Sequence, residues 1–367
     1  MKRASSLTLL PLFALFACVS SCAVPSPSFD EEAWRIKVKS ADASLVHAPH
    51  FNEGGFFNPW MPGENRGFFT FLRWRFSPGQ EYTEEERSYL PRVIRKAKER
   101  ILSMGDDDFI IWIGHATFLI RLKGEYWLTD PIFSERALLP KRKTPPGISL
   151  EELKEIAPHL NVILTHNHYD HLDKPSILGL PENAKMYFPL GLKDYLQSLN
   201  KKDLTELDWW QQKDCGKGIT LVCLPAQHWS RRLGQGYNES LWASFLLITP
   251  EVKIYLGGDT GYFIGHREIG ERFPGIDYAL LPTTAYRPRW FMHYNHMNID
   301  ETIEAFNDLG ARFMIPQQWG TFHLGDEPPG YSMVELKRKI AERGLDSGRF
   351  ILLDIGEIHP IRVRTTS

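Results

Sequence analysis

The sequence predicts an α/β protein built as an αββα sandwich, with two β-sheets face to face and helices on both outer surfaces. Three observations lead there. Strand-like runs alternate with helical segments along most of the chain. Residues able to do chemistry fall just after those runs, as loops at one sheet edge require. Residues 109–129 hold three closely spaced strands with no room for crossover helices, which weakens the runner-up, a doubly wound parallel sheet.

Taken in order, residues 1–22 read as a lipoprotein-type signal peptide. Lys2 and Arg3 precede an apolar run over 7–17 that is too short to span a bilayer. Leu15-Phe16-Ala17-Cys18 and Val19-Ser20-Ser21-Cys22 both have lipobox character; Cys18 is taken as the lipidated residue and Cys22 as the alternative. Residues 23–47 open Pro- and Ser-rich and are expected to be a tether. The chain is therefore expected to be exported and held at a membrane by an N-terminal lipid, facing the periplasm or cell exterior. Neither Cys is followed by Asp, so a Gram-negative host would sort it to the outer membrane.

The folded body is expected over 48–367 as one domain. Residues 83–104 have helical spacing, with Pro91 in the first turn or bending the helix. Strands are predicted over 109–113, 117–122, 126–129, 162–165, 219–224, 243–248, 253–256 and 278–281. Helices are predicted over 149–157, 191–199, 299–309 and 332–343. The last two open with the capping boxes Asn298-x-x-Glu301 and Ser332-x-x-Glu335 and close before Gly310 and Gly344.

Composition narrows the function classes. A formal net charge of −2 over 367 residues argues against a polyanionic partner, so nucleic acid is not expected. Beyond the N-terminal pair only Cys215 and Cys223 remain, enough for one disulfide at most. Histidine is different: several of its thirteen copies cluster with acidic residues, which is where metal chemistry is found.

The densest cluster is Thr165-His166-Asn167-His168-Tyr169-Asp170-His171, delivered by an apolar strand. In an extended loop, positions i and i+2 project to one side, so His166 and His168 can chelate one ion while Asp170 and His171 address a second. More ligands are offered at distant strand ends. His228 follows the strand over 219–224. Asp259 lies in Gly257-Gly258-Asp259-Thr260-Gly261, where glycines let the backbone turn and leave the carboxylate free to bridge two ions. Imidazole and carboxylate donors suit zinc without excluding iron or manganese.

These residues complete an H-x-H-x-D-H motif, and the chain resembles the metallo-β-lactamase superfamily. More narrowly it is similar to the N-acyl-phosphatidylethanolamine-hydrolysing phospholipase D-like family. Supporting motifs include Phe57-Asn58-Pro59-Trp60, Trp112-Ile113-Gly114-His115-Ala116-Thr117, Leu128-Thr129-Asp130-Pro131, Pro225-Ala226-Gln227-His228-Trp229 and Trp319-Gly320-Thr321-Phe322, within roughly residues 50–330. The resemblance implies the metallo-β-lactamase fold and two zinc ions. His166, His168 and His228 would hold one, Asp170 and His171 the other, with Asp259 bridging. The family's last ligand is the His of H-W-G-T-F, and here Gln318 stands in its place, a weaker donor that leaves the second site looser, water-completed or suited to a harder metal. His323 is a less suitable substitute, since in an extended segment it faces away from position 318.

The resemblance also puts His115 and Asp130 near the metal loop, Asp130 as the acceptor that fixes a ligating imidazole, and His296 beside a substrate phosphate. It implies a phosphodiesterase of phospholipase D type in which a metal-bridged hydroxide attacks, Asp170 orients it, and His296 donates to the phosphoryl oxygen. The expected substrate is an N-acyl-phosphatidylethanolamine-like phospholipid releasing phosphatidic acid. Another ester, lactone or phosphodiester, or a non-catalytic metal-binding envelope lipoprotein, are the competing readings. Trp60, Trp74, Trp209, Trp210, Trp229, Trp290 and Phe291 are candidates for an apolar groove. Arg231, Arg232, Arg287 and Arg289 are candidates for phosphate contact.

Overall fold

A computed structural model describes residues 26–63 and 67–362; the signal peptide and Cys18 lie outside the described residues. Two sheets form the centre. The seven-stranded sheet runs, in spatial order, Ile358–Pro360, Phe109–Gly114, Thr117–Leu122, Glu125–Thr129, Leu160–Ile163, Lys185–Pro189 and Leu204–Leu207. Its first four strands pair antiparallel, and from Glu125–Thr129 onward the pairing is parallel. The six-stranded sheet runs Gln212–Asp214, Thr220–Leu224, Ser244–Ile248, Lys253–Leu256, Tyr278–Pro282 and Phe313–Gln317, antiparallel until the last two pairings. The expected meander over 109–129 is present, and the doubly wound alternative is excluded.

The alternation of side chains explains the layering. In Phe109–Gly114, Ile110 and Trp112 join an apolar cluster shared with Leu221, Phe245 and Ile254 of the facing sheet. Phe109, Ile111 and Ile113 join a second cluster with Leu153, Ile156, Ile177 and Leu196 of helices on the outer face. A strand whose successive residues point to opposite faces, both apolar, must sit between two packed layers. The helices Ile299–Asp308 and Tyr331–Glu342 add Ile303, Phe306 and Leu336 over the outer face of the six-stranded sheet, which completes αββα.

Three expectations need correction. The tether over 23–47 is folded from Glu31: Asp30 caps the helix Glu31–Lys39, and Trp34 and Val38, one turn apart, bury against the body, with Trp34 Nε1 donating to Glu301 Oε1 at 3.0 Å. Residues 83–104 form two helices, Glu84–Ser88 and Ala97–Ser103. Pro91 cannot donate within a helix, and Val93 instead bridges Ile355. The second capping box does not form: Gly330 occupies the cap, and Glu335 accepts from the Tyr286 hydroxyl at 2.6 Å. The first forms as expected at Asn298 and Glu301. Cys215 and Cys223 are both free thiols. Among the described residues no helix is long and apolar enough to cross a membrane.

Candidate metal centre

Every residue proposed from sequence to ligate or support a metal, except His296, follows the C-terminal end of a strand. The register of each sheet gathers those ends at one edge. His115 follows Phe109–Gly114, Asp130 follows Glu125–Thr129 and the loop of His166 to His171 follows Leu160–Ile163. His228, Asp259 and Gln318 follow Thr220–Leu224, Lys253–Leu256 and Phe313–Gln317 across the sandwich. Backbone conformation is unusual here: His115, Asp130 and Gln318 all have positive φ, at 52°, 35° and 76°. Strained backbone concentrates where a site over-determines geometry. Before Asp259, Gly258 sits at φ +58°, and a Cβ there would lie 2.8 Å from the Thr165 side chain, so the turn that aims this carboxylate needs glycine.

Two clusters result. His166, His168, His228 and Asp259 present donor atoms that all lie within 4.8 Å of one another, and so do His115, Asp170 and His171. In the first, His166 Nε2 and His228 Nε2 stand 2.9 and 3.1 Å from His168 Nδ1, and 3.6 and 3.5 Å from Asp259 Oδ2. A tetrahedral ion with bonds of about 2.0–2.1 Å has ligand-to-ligand edges of about 3.3–3.4 Å, which these spacings bracket.

The far nitrogens show which ring atoms carry lone pairs. His228 Nδ1 faces the Asn295 carbonyl at 3.2 Å, and His171 Nδ1 faces Asp130 Oδ2 at 2.7 Å. Both partners only accept, so both Nδ1 atoms carry protons, and the neutral His228 turns a bare Nε2 lone pair inward. Thr165 Oγ1 donates to Asp130 Oδ2 at 2.7 Å and thus accepts from His166 Nδ1 at 3.0 Å, with the same consequence. Burial lowers the basicity of these rings: His166 and His228 lie well below the ordinary histidine range and His168 falls to about 4. Neutral imidazoles crowded lone pair to lone pair, with a carboxylate beside them, fit a bound cation.

The second cluster is put together differently. His171 Nε2 lies 3.3 Å from Asp259 Oδ1 and 3.5 Å from Asp170 Oδ2, so Asp259 turns one oxygen to each cluster. Burial disfavours charge on His171, yet Asp259, Asp170 and Asp130 together raise it well above the ordinary range: the pocket calls for positive charge. His115 Nε2 meets Asp170 Oδ2 at 3.0 Å and orients that carboxylate. Gln318, expected as a ligand, instead directs its amide Nε2 at Asp259 Oδ1 as a hydrogen-bond donor. An amide N–H has no lone pair for a metal, which separates it from the imidazole it replaces. His323 is exposed after the turn that follows Gln318 and is not in either cluster.

His296 stacks edge-on against His228 at 5.3 Å between ring centroids, at the rim of the first cluster. Of the aromatic candidates, Trp229 packs edge-on to His168 at 4.5 Å, while Trp60 and Trp209 are core, Trp60 stacking on Phe263 and packing against Trp209. The arginines separate too. Arg232 is buried and clamps the metal loop, bonding Asn167 and Leu172 carbonyls at 2.9 and 2.7 Å. Arg289 pairs with Glu31 and Glu301 and Arg287 with Gln80; Arg231 remains exposed. Thr165 and the Asn295 carbonyl were not singled out from sequence; only the position of Thr165 directly before His166 hinted at its part.

Comparison with known proteins agrees with this geometry. Residues 126–319, half of the chain, match the model of the "Beta-lactamase superfamily domain" family. An N-acyl-phosphatidylethanolamine-hydrolyzing phospholipase D of Caenorhabditis elegans is 36% identical over 271 residues, 68% of this chain and 75% of that one. A mitochondrial enzyme of the same name from Saccharomyces cerevisiae is 35% identical over 59% of this chain and 48% of its own length. Among solved structures, a possible metal-dependent hydrolase from Veillonella parvula superposes with a TM-score of 0.58 at 17% identity, covering 70% of this chain and all of that one. The shared fold, the matched domain and the paired donor clusters make this chain a metal-dependent hydrolase, a member of the metallo-β-lactamase superfamily within its N-acyl-phosphatidylethanolamine-hydrolysing phospholipase D-like family.

Proposed function

We propose that the protein is a phosphodiesterase of phospholipase D type, acting on N-acyl-phosphatidylethanolamine-like phospholipids with two zinc ions. The observation that carries this reading is Asp259, whose two oxygens face two separate donor clusters, the arrangement a two-metal phosphodiesterase needs. The likeness to the nematode phospholipase D over three quarters of that enzyme supports the substrate class. His166, His168, His228 and Asp259 would hold one ion; Asp170, His171 and Asp259 the other. When bound, zinc supplies Lewis acidity, polarising a phosphoryl oxygen and acidifying water.

The chain's own groups do the rest. Asp170, held by His115, is lowered below the ordinary carboxylate range despite its burial, because His171 and the His115 hydrogen bond favour its charge. It stays an anion that orients the attacking water. His296 donates to a phosphoryl oxygen at the rim. Water attacks phosphorus, the P–O bond to the N-acylethanolamine breaks, that alcohol leaves with a proton, and phosphatidic acid remains. Export and lipid anchoring at Cys18, suggested by the leader, would present the enzyme to such lipids. The test is turnover of N-acyl-phosphatidylethanolamine vesicles against soluble aryl phosphodiesters and lactones, with phosphatidic acid measured as product. Preference for the soluble substrates overturns the lipid assignment.

A further inference from the structure

Outside the metal centre, the surface feature that most departs from an ordinary soluble surface is the helix Phe68–Phe76, Phe-Phe-Thr-Phe-Leu-Arg-Trp-Arg-Phe, in which no residue is buried. Phe68, Phe69, Phe71 and Phe76 are 44–84% exposed. Four phenylalanines left in water on one short helix mark an interaction surface. The helix is nevertheless fixed to the body: Trp74 stacks on Phe291 at 4.7 Å and its Nε1 donates to Asp326 at 2.8 Å.

We infer that the helix Phe68–Phe76 is a bilayer-docking element that seats the metal centre against an anionic lipid surface. Four further observations select a bilayer over a protein partner. Arg73 and Arg75 alternate with the aromatics in the last turns, so apolar insertion is paired with charge that complements lipid phosphate. Through Phe291 and the helix Arg289–Met292, this surface adjoins the segment carrying Asn295 and His296, which touch His228. On another side of the metal loop, Leu233 is 90% exposed, its backbone N–H bonded to the Tyr169 hydroxyl, so a second apolar point flanks the same centre. The described chain also begins beside the helix: Ser26 Oγ donates to the carbonyl of Pro78, two residues beyond Phe76, at 3.2 Å. An anchor on the preceding residues would hold this face, rather than the opposite one, toward a membrane.

The inference names the surface that the proposed lipid reaction would use, and so rests on that reading for its purpose but not for its test. In the full chain, with Cys18, Cys22 and Cys215 replaced by serine, Phe69→Cys and, separately, Glu251→Cys carry an environment-sensitive fluorophore. Glu251 lies in the hairpin turn at the sheet edge remote from the metal centre. Vesicles of phosphatidylethanolamine and phosphatidylglycerol, some with brominated acyl chains and none with N-acyl lipid, are the probe. The label at 69 should shift to the blue and be quenched by brominated lipid several-fold more than the label at 251. Adding Phe68→Ser and Phe76→Ser should weaken that quenching while turnover of a soluble phosphodiester stays unchanged. Equal quenching at both positions overturns the inference. So does a label at 69 that is shielded without vesicles as protein concentration rises, which would make the face a contact between copies. Since no substrate lipid is present, a failure of hydrolysis and a failure of docking are read independently.

Discussion

The two halves of the metal centre share Asp259 and differ in nearly everything else. The first half has three imidazoles, two of them fixed with their lone pairs inward by Thr165 and the Asn295 carbonyl, and a fourth donor at tetrahedral spacing. The second has two imidazoles, His171 between two carboxylates and His115 bonded to Asp170, and where another imidazole would stand Gln318 offers an N–H to Asp259. One half is built to hold an ion; the other is built for positive charge but is short of a ligand. A tight and a loose ion in one pocket are therefore expected.

Asp259→Ala should have the largest effect, since it removes a donor from both halves. Turnover should fall by about a thousandfold or more, several kcal/mol of transition-state stabilisation, and metal analysis should show loss at both positions. A loss no larger than that of His171→Ala would break the idea of a shared carboxylate. His168→Ala and His171→Ala separate the halves. The first should abolish tight binding in a zinc titration, while the second should leave the tight phase and erase the weak one. Asp130→Asn is next. This carboxylate accepts from His171 Nδ1, Thr165 N and Thr165 Oγ1, all at 2.7 Å, so its loss frees the tautomer of His171 directly and that of His166 through Thr165. Zinc affinity should weaken by about 10–100-fold, more in the second half than the first, with the circular dichroism spectrum unchanged. The smallest effect belongs to Gln318. Gln318→His should tighten only the weak phase, by about tenfold or 1.4 kcal/mol, and Gln318→Ala should barely move it. Loss of the weak phase in Gln318→Ala would return that residue to the ligand set.

What sequence made legible follows the same division. Strands that are apolar on both faces and a ligand-rich loop of six residues are local patterns, and they located the sandwich, the metal loop, His228 and Asp259. The helix Glu31–Lys39 was hidden because its Pro- and Ser-rich approach suggests a tether, while its partner, Glu301, lies 267 residues away. Ser332 and Glu335 have capping-box spacing, but a buried tyrosine hydroxyl holds the glutamate elsewhere. The role of Gln318 was the least legible, since a position says that a side chain reaches the pocket but not which end of an amide it presents. Arg232 is similar: a basic residue near the site by sequence, it closes backbone carbonyls of the loop it was expected to flank.

Anomalous diffraction at the zinc edge from zinc-soaked crystals tests the asymmetry most directly. The expected result is a strong peak within bonding distance of His166, His168, His228 and Asp259, and a weaker one beside Asp170, His171 and Asp259 with no bond from Gln318. Two peaks of equal height with the Gln318 oxygen bound to the second, or a single peak on the Asp170 and His171 side, would contradict it.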